Sequence, residues 1–112
     1  MTGGNPTLVI TLLEQMNEST RGDLATLEQL LKSPDLARFD SLAHRIKGAA
    51  KIIKARPLFA CCEALEASCQ RQDMSRVTQQ ALQLATAMEE LITAIEQQVL
   101  NKTQINHKQT MS

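Results

Sequence analysis

The segment SPDLARFDSLAHRIKGAAKII, Ser33 to Ile53, decides how the rest of the chain is read. Leu36, Phe39, Leu42, Ala43, Ile46, Ala49, Ala50 and Ile53 recur at spacings of three and four, the period of a helix with one apolar stripe. Ser33-Pro34 supplies an N-cap followed by proline at the first helical position, so the helix is expected to open there. A helix turns about 100° per residue. With Ile46 at the centre of the stripe, the other apolar positions from Phe39 to Ile53 lie within about 60° of it. His44 and Gly48 each fall about 160° away, one turn apart on the outer face. Lys51 lies about 140° and Lys47 about 100° from the stripe, flanking the same patch. Ile52, about 120° from the core direction, is oddly placed for an isoleucine unless something covers it.

Outward from this segment the same period recurs. A first helical block opens at Asn5-Pro6 and carries Val9, Leu13, Met16, Leu24, Leu27 and Leu31. Its polar middle, NESTRGD, leaves two readings open: one long helix, or two short ones broken at Gly22. A third block opens at Pro57 with Leu58, Cys61, Cys62, Leu65 and Cys69. A fourth begins near Asp73 or Ser75 and carries Val77, Ala81, Leu84, Met88, Leu91, Ile95 and Val99. Residues 102–112 are polar and aperiodic and are expected to fray into a disordered tail beyond a domain spanning 1–101. Short loops between amphipathic helices favour an all-α, antiparallel up-down four-helix bundle.

Composition agrees and also excludes. The chain has 112 residues, two of them aromatic (Phe39 and Phe59), and good helix formers dominate. The 12 basic and 12 acidic residues balance, so bulk attraction to nucleic acid or an anionic membrane is not expected. No apolar run approaches the roughly 18 residues of a membrane span. Cys61, Cys62 and Cys69 lack the paired spacing of a zinc site and suit a reducing, cytoplasmic compartment. Cys62 reads as a small core residue and His107, in the polar tail, as inert.

The outer patch is the part with chemistry. Glycine inside a helix costs roughly 1 kcal/mol relative to alanine. At Gly48 it leaves bare backbone one turn from His44, where another protein can approach the ring closely. From Arg45 to Arg56 there are five basic residues and no acidic one, a local positive field in a neutral chain. A neutral imidazole offers a nitrogen lone pair to phosphorus, and an ammonium one turn on, at Lys47, can steady phosphoryl oxygens. No phosphate-cradling glycine loop is present, so the phosphoryl donor must come from outside.

These residues resemble the histidine-containing phosphotransfer (HPt) family of bacterial phosphorelays. That family's signature is similar to A-H-x-[LI]-K-G-[SA]-[SA], then an apolar residue, Gly-Ala, Leu, a small residue or Cys, and Leu-Glu. Here Ala43, His44, Ile46, Lys47, Gly48, Ala49 and Ala50 carry it, followed by Ile53, Ala55, Leu58, Cys62, Leu65 and Glu66. Lys54 departs from it, standing where the family often has glycine.

The resemblance implies that His44 takes a phosphoryl group from one receiver-domain aspartate and passes it to another. Lys47 would hold the group and Gly48 would make room for the receiver. Ser41, Arg45, Lys51 and Ile52 are the expected docking rim beside Gly48. No cofactor of its own is expected, Mg²⁺ belonging to the receiver. A monomer is expected, without direct nucleic-acid or membrane contact, either free or as the cytoplasmic module of a hybrid sensor kinase. The rival reading is a non-catalytic helical adaptor or dimerisation module that docks a partner through the basic patch. Only the relay predicts an acid-labile, alkali-stable label.

Overall fold

A computed structural model describes the backbone of residues 6–111 and the side chains of residues 7–102. Four helices follow in chain order: α1 (Pro6–Lys32), α2 (Leu36–Ile52), α3 (Arg56–Gln70) and α4 (Met74–Met111). Each connection is three residues long (33–35, 53–55 and 71–73), which forces successive helices to run antiparallel. The chain is an all-α four-helix bundle. α2 packs on α3, α1 on α4 and α3 on α4, while the contact of α1 with α2 is thin.

The core forms where the four apolar stripes meet. Phe39, Leu27, Leu65, Leu84, Met88, Val77 and Cys62 are its largest fully buried side chains. From α2 it takes Phe39, Leu42, Ala43, Ile46 and Ala50, the middle of the expected stripe. Ala49 is exposed and Ile53 half-buried, because the thin contact with α1 leaves that flank of α2 poorly covered. Two polar side chains are buried, Asp23 and Ser68; the Ser68 hydroxyl donates to Gln80 Oε1 at 2.6 Å, so its burial carries no unpaired donor.

α1 passes through Gly22 as one helix, which settles the choice left by its polar middle. The reason is tertiary. Asn17 and Arg21, both within the weak stretch, reach Glu96 of α4, and Leu27 and Leu30 are buried beyond it.

The start of α2 departs from expectation. The N-cap is Asp35, whose carboxylate accepts from the Arg38 amide at 3.3 Å, and the helix begins at Leu36. Ser33 still belongs to the end of α1, its amide donating to Gln29 O, and it lies too far before Leu36 to cap α2. α3 opens at Arg56 with Pro57 in its first turn, and α4 at Met74 behind Asp73, whose side chain accepts from the Arg76 amide. Asn5 lies outside the described residues. α4 stays helical past Asn101 to Met111, with no Gly or Pro in that stretch to interrupt it.

The ends of α2 and α3 share one device. The Ala55 amide donates to Ala50 O at 2.9 Å and the Lys54 amide to Lys51 O at 3.3 Å. This double closure needs a left-handed residue between them, and Lys54 takes it with φ 58°. Gln72 does the same after α3, with φ 57°. Glycine occupies this conformation freely, whereas a side chain costs about 1–2 kcal/mol. Lys54→Gly is therefore expected to stabilise the bundle by about 1 kcal/mol, read as a higher urea midpoint at unchanged slope. An unchanged or lower midpoint would show that the strain is relieved elsewhere.

Candidate functional site

The buried stripe of α2 turns His44 outward. Its side chain is 77% exposed, in the middle of α2 and against the adjacent face of α3. Its Nδ1 lies 3.3 Å from Glu66 Oε2, and Lys47 Nζ lies 2.7 Å from Glu66 Oε1. One half-buried carboxylate on α3 thus holds both candidate groups of α2, one on each oxygen.

The shared carboxylate fixes more than position. A carboxylate only accepts hydrogen bonds, so the Nδ1 contact requires the proton on Nδ1. The Nε2 lone pair is then free and directed away from Glu66. This is the arrangement by which a carboxylate sets the tautomer of a reactive histidine.

Electrostatics within the trio are mutual. Burial by itself pushes the Glu66 carboxyl up, but hydrogen bonds from Lys47 and His44 outweigh it and hold the group below its ordinary 4.5. The same bond to Glu66 raises Lys47, which stays an ammonium. A group that ionises more readily when folded adds stability above its unfolded pKa, and that stability disappears as pH falls through the lowered folded value. Replacing Glu66 by Gln should therefore destabilise the bundle near neutrality, by an amount that solvent screening keeps small. The gap between the two proteins should close below about pH 4. Urea titrations of both proteins across this range check it; a gap that persists in acid would mean the ion pair contributes nothing.

The remaining residues singled out by the sequence divide into two groups. Ser41, Gly48, Lys51 and Ile52 are exposed on the His44 face, Ile52 at 82%. A Cβ added at Gly48 would meet nothing within 4 Å, so no neighbouring helix demands the glycine. Arg45 is also exposed, but its guanidinium turns to Asp23 of α1 at 3.4 Å. Burial pushes the Asp23 carboxyl up and Arg45 partly offsets this. Two of the five cations in the patch, Arg45 and Lys47, are therefore committed to carboxylates of the same chain.

Sequence reasoning undervalued Glu66 and missed Asp23. Both are polar side chains at the margin of a buried stripe, Glu66 directly after Leu65 and Asp23 four residues before Leu27. That position was the available signal.

The cysteines are unreactive packing. Burial pushes the Cys62 thiol up to about 12 and the Cys69 thiol up to about 11, and it also raises Cys61. Among the described residues, no cluster of His, Cys, Asp and Glu could hold a metal ion. No helix of the described residues is long and apolar enough to cross a membrane.

An exposed histidine bonded to a carboxylate and flanked by an ammonium on a four-helix bundle is the arrangement that the phosphotransfer resemblance leads one to expect. The sequence comparisons agree: the Hpt domain model matches residues 11–98, and the chain belongs to that family. It is a histidine phosphotransfer module of two-component phosphorelays, a class that exchanges phosphoryl groups with receiver domains. The adaptor alternative is not favoured. The chain is also similar to the virulence sensor protein BvgS of Bordetella bronchiseptica, Bordetella parapertussis and Bordetella pertussis, at 29% identity over 72 residues in each. The match covers 64% of this chain and 6% of each of those much longer proteins. No solved structure matches the chain significantly.

Proposed function

We propose that His44 is the phosphoacceptor of this module, with Glu66 and Lys47 holding it ready, and that it serves a relay containing a sensor protein. The exposed ring bonded through Nδ1 to Glu66 carries this reading. His44 is also the only histidine within the residues that match the family, since His107 lies beyond them.

The step balances without a base. The Nε2 lone pair of His44 attacks phosphorus of an aspartyl phosphate on the receiver. An N–P bond forms while the bond from phosphorus to the aspartyl oxygen breaks, and that oxygen keeps the electron pair as a carboxylate. Nδ1 retains its proton, so the phosphorylated ring carries positive charge beside the Glu66 carboxylate. Lys47, one turn on, supplies positive charge toward the phosphoryl oxygens. The reverse sequence delivers the group to the next receiver. Mg²⁺ in this reading belongs to the receiver.

Incubating the chain with phosphorylated receiver domains tests the reading. The expected product is an acid-labile, alkali-stable label on the chain. A panel of receivers that leaves no such label would refute it.

Gly48 has its own prediction. Arginine there has room, improves helix propensity and leaves the bundle folded. Its side chain would rise beside the ring and hold a receiver off by more than an ångström. Transfer should slow on the order of a hundredfold with circular dichroism unchanged. Equal rates for Gly48→Arg and the parent would remove access as the reason for this glycine.

A further inference from the structure

Beyond the His44 trio, α2 and α3 enclose a second feature at the turn that joins them. Ala50, Ala55 and Phe59 floor a surface cleft of about 280 Å³, and Lys51, Lys54 and Arg56 complete its lining. No carboxylate lines it. None of the three cations makes an ion pair or a side-chain hydrogen bond within the described residues, whereas Arg45 and Lys47 nearby are both paired. The cleft also adjoins the trio: Lys47 Nζ sits over the Phe59 ring at 6.0 Å from its centroid. Lys51 follows His44 by two turns of α2, about 10 Å along the axis.

Lys54 supplies an independent observation. It holds the left-handed position that glycine would occupy without strain, and its ammonium has no ion pair or side-chain hydrogen bond within the described residues. Gln72 holds the same conformation at the other turn, so it is the unpaired charge of Lys54 beside the cleft, together with the strain, that singles this position out.

We propose that this cleft is a second anchoring point for the receiver, and that it selects receivers presenting an apolar side chain flanked by carboxylates. The proposal rests on the relay reading above. The apolar floor takes the side chain, while Lys51, Lys54 and Arg56 pair with the carboxylates around it. The receiver seated on His44 is the occupant because the cleft continues the same face and its unpaired charge is all positive. Rim charges of this kind act mainly on encounter rate and partner choice, and salt screens them.

The test separates the two claims. Receivers that label the chain are first found by transfer from their phosphorylated forms. Binding of the same receivers, unphosphorylated, is then measured at low and high salt. Lys54→Glu and Arg56→Glu should each weaken binding about threefold, and together about tenfold, with a flatter salt dependence. Lys54→Gly should weaken binding while raising the thermal midpoint, a combination that a purely structural role does not produce. Lys32→Glu, at the C-terminal residue of α1 and beside the opposite end of α2 from the cleft, controls for net charge.

If the double reversal labels His44 and binds like the parent, the anchoring proposal fails and the relay reading stands. Equal weakening by Lys32→Glu would assign the effect to net charge and also overturn it. If no receiver labels the chain, the relay reading fails and takes this proposal with it.

Discussion

Replacing His44 by glutamine yields a folded bundle that no longer takes label from a phosphorylated receiver. Both halves of this expectation come from geometry. The ring is 77% exposed, so its removal leaves no hole in the core, and surface changes of this kind usually move stability by less than about 0.5 kcal/mol. The glutamine amide nitrogen can still donate to Glu66, but its lone pair is delocalised into the carbonyl and does not attack phosphorus. The acid-labile label should vanish while circular dichroism and the urea midpoint hold. His107→Gln is the matched control and should label fully, since His107 lies outside the residues that match the family. Acid-labile label surviving on His44→Gln would place the acceptor elsewhere.

Why His44 was legible and Glu66 was not is a matter of which contacts a sequence encodes. The outward aim of His44 follows from one helix alone. Phe39, Leu42, Ala43, Ile46 and Ala50 bury one face of α2, and the residue opposite must look out. Glu66 acts across two helices. Glu63 and Glu66 are both acidic residues of α3, and only the rotation of α3 against α2 decides which one reaches Nδ1. The same limit explains Arg45 and Lys47. Read along one strip of chain they belong to a cationic field, yet each is held by a carboxylate from another helix.

Helix ends show the boundary differently. Ser33-Pro34 satisfies the local rules for a helix start, but Ser33 is still bonded into the end of α1, and the cap falls on Asp35 directly before Leu36. Lys54 is the reverse case. The family resemblance expects glycine there, and the fold places Lys54 in the left-handed conformation that glycine would take freely. Gln72 takes the same conformation after α3, so the unpaired charge of Lys54 beside the α2–α3 cleft, and not the strain alone, is what points to a partner.

Phe39→Ala should cost the bundle about 3–5 kcal/mol, the largest loss of stability expected from any single truncation here. Phe39 is fully buried and is the largest such side chain in the core. It sits on α2 one turn ahead of Ala43, in the stripe that fixes the rotation of that helix. Removing its ring discards buried area and leaves a cavity that the surrounding core can only partly fill. Domains of this size are stable by about 5–15 kcal/mol, so the variant should populate unfolded chain near physiological temperature. Labelling of His44 should then fall in proportion to the folded fraction, with the rate per folded molecule preserved, because Phe39 and His44 lie on opposite faces. Excess receiver should restore part of it by binding only the folded form. Urea unfolding gives the stability loss and receiver titration gives the rescue. A variant that keeps its urea midpoint would show that Phe39 does not anchor α2. One that unfolds yet cannot be rescued would show that the ring's aim depends on more than the stripe beneath it.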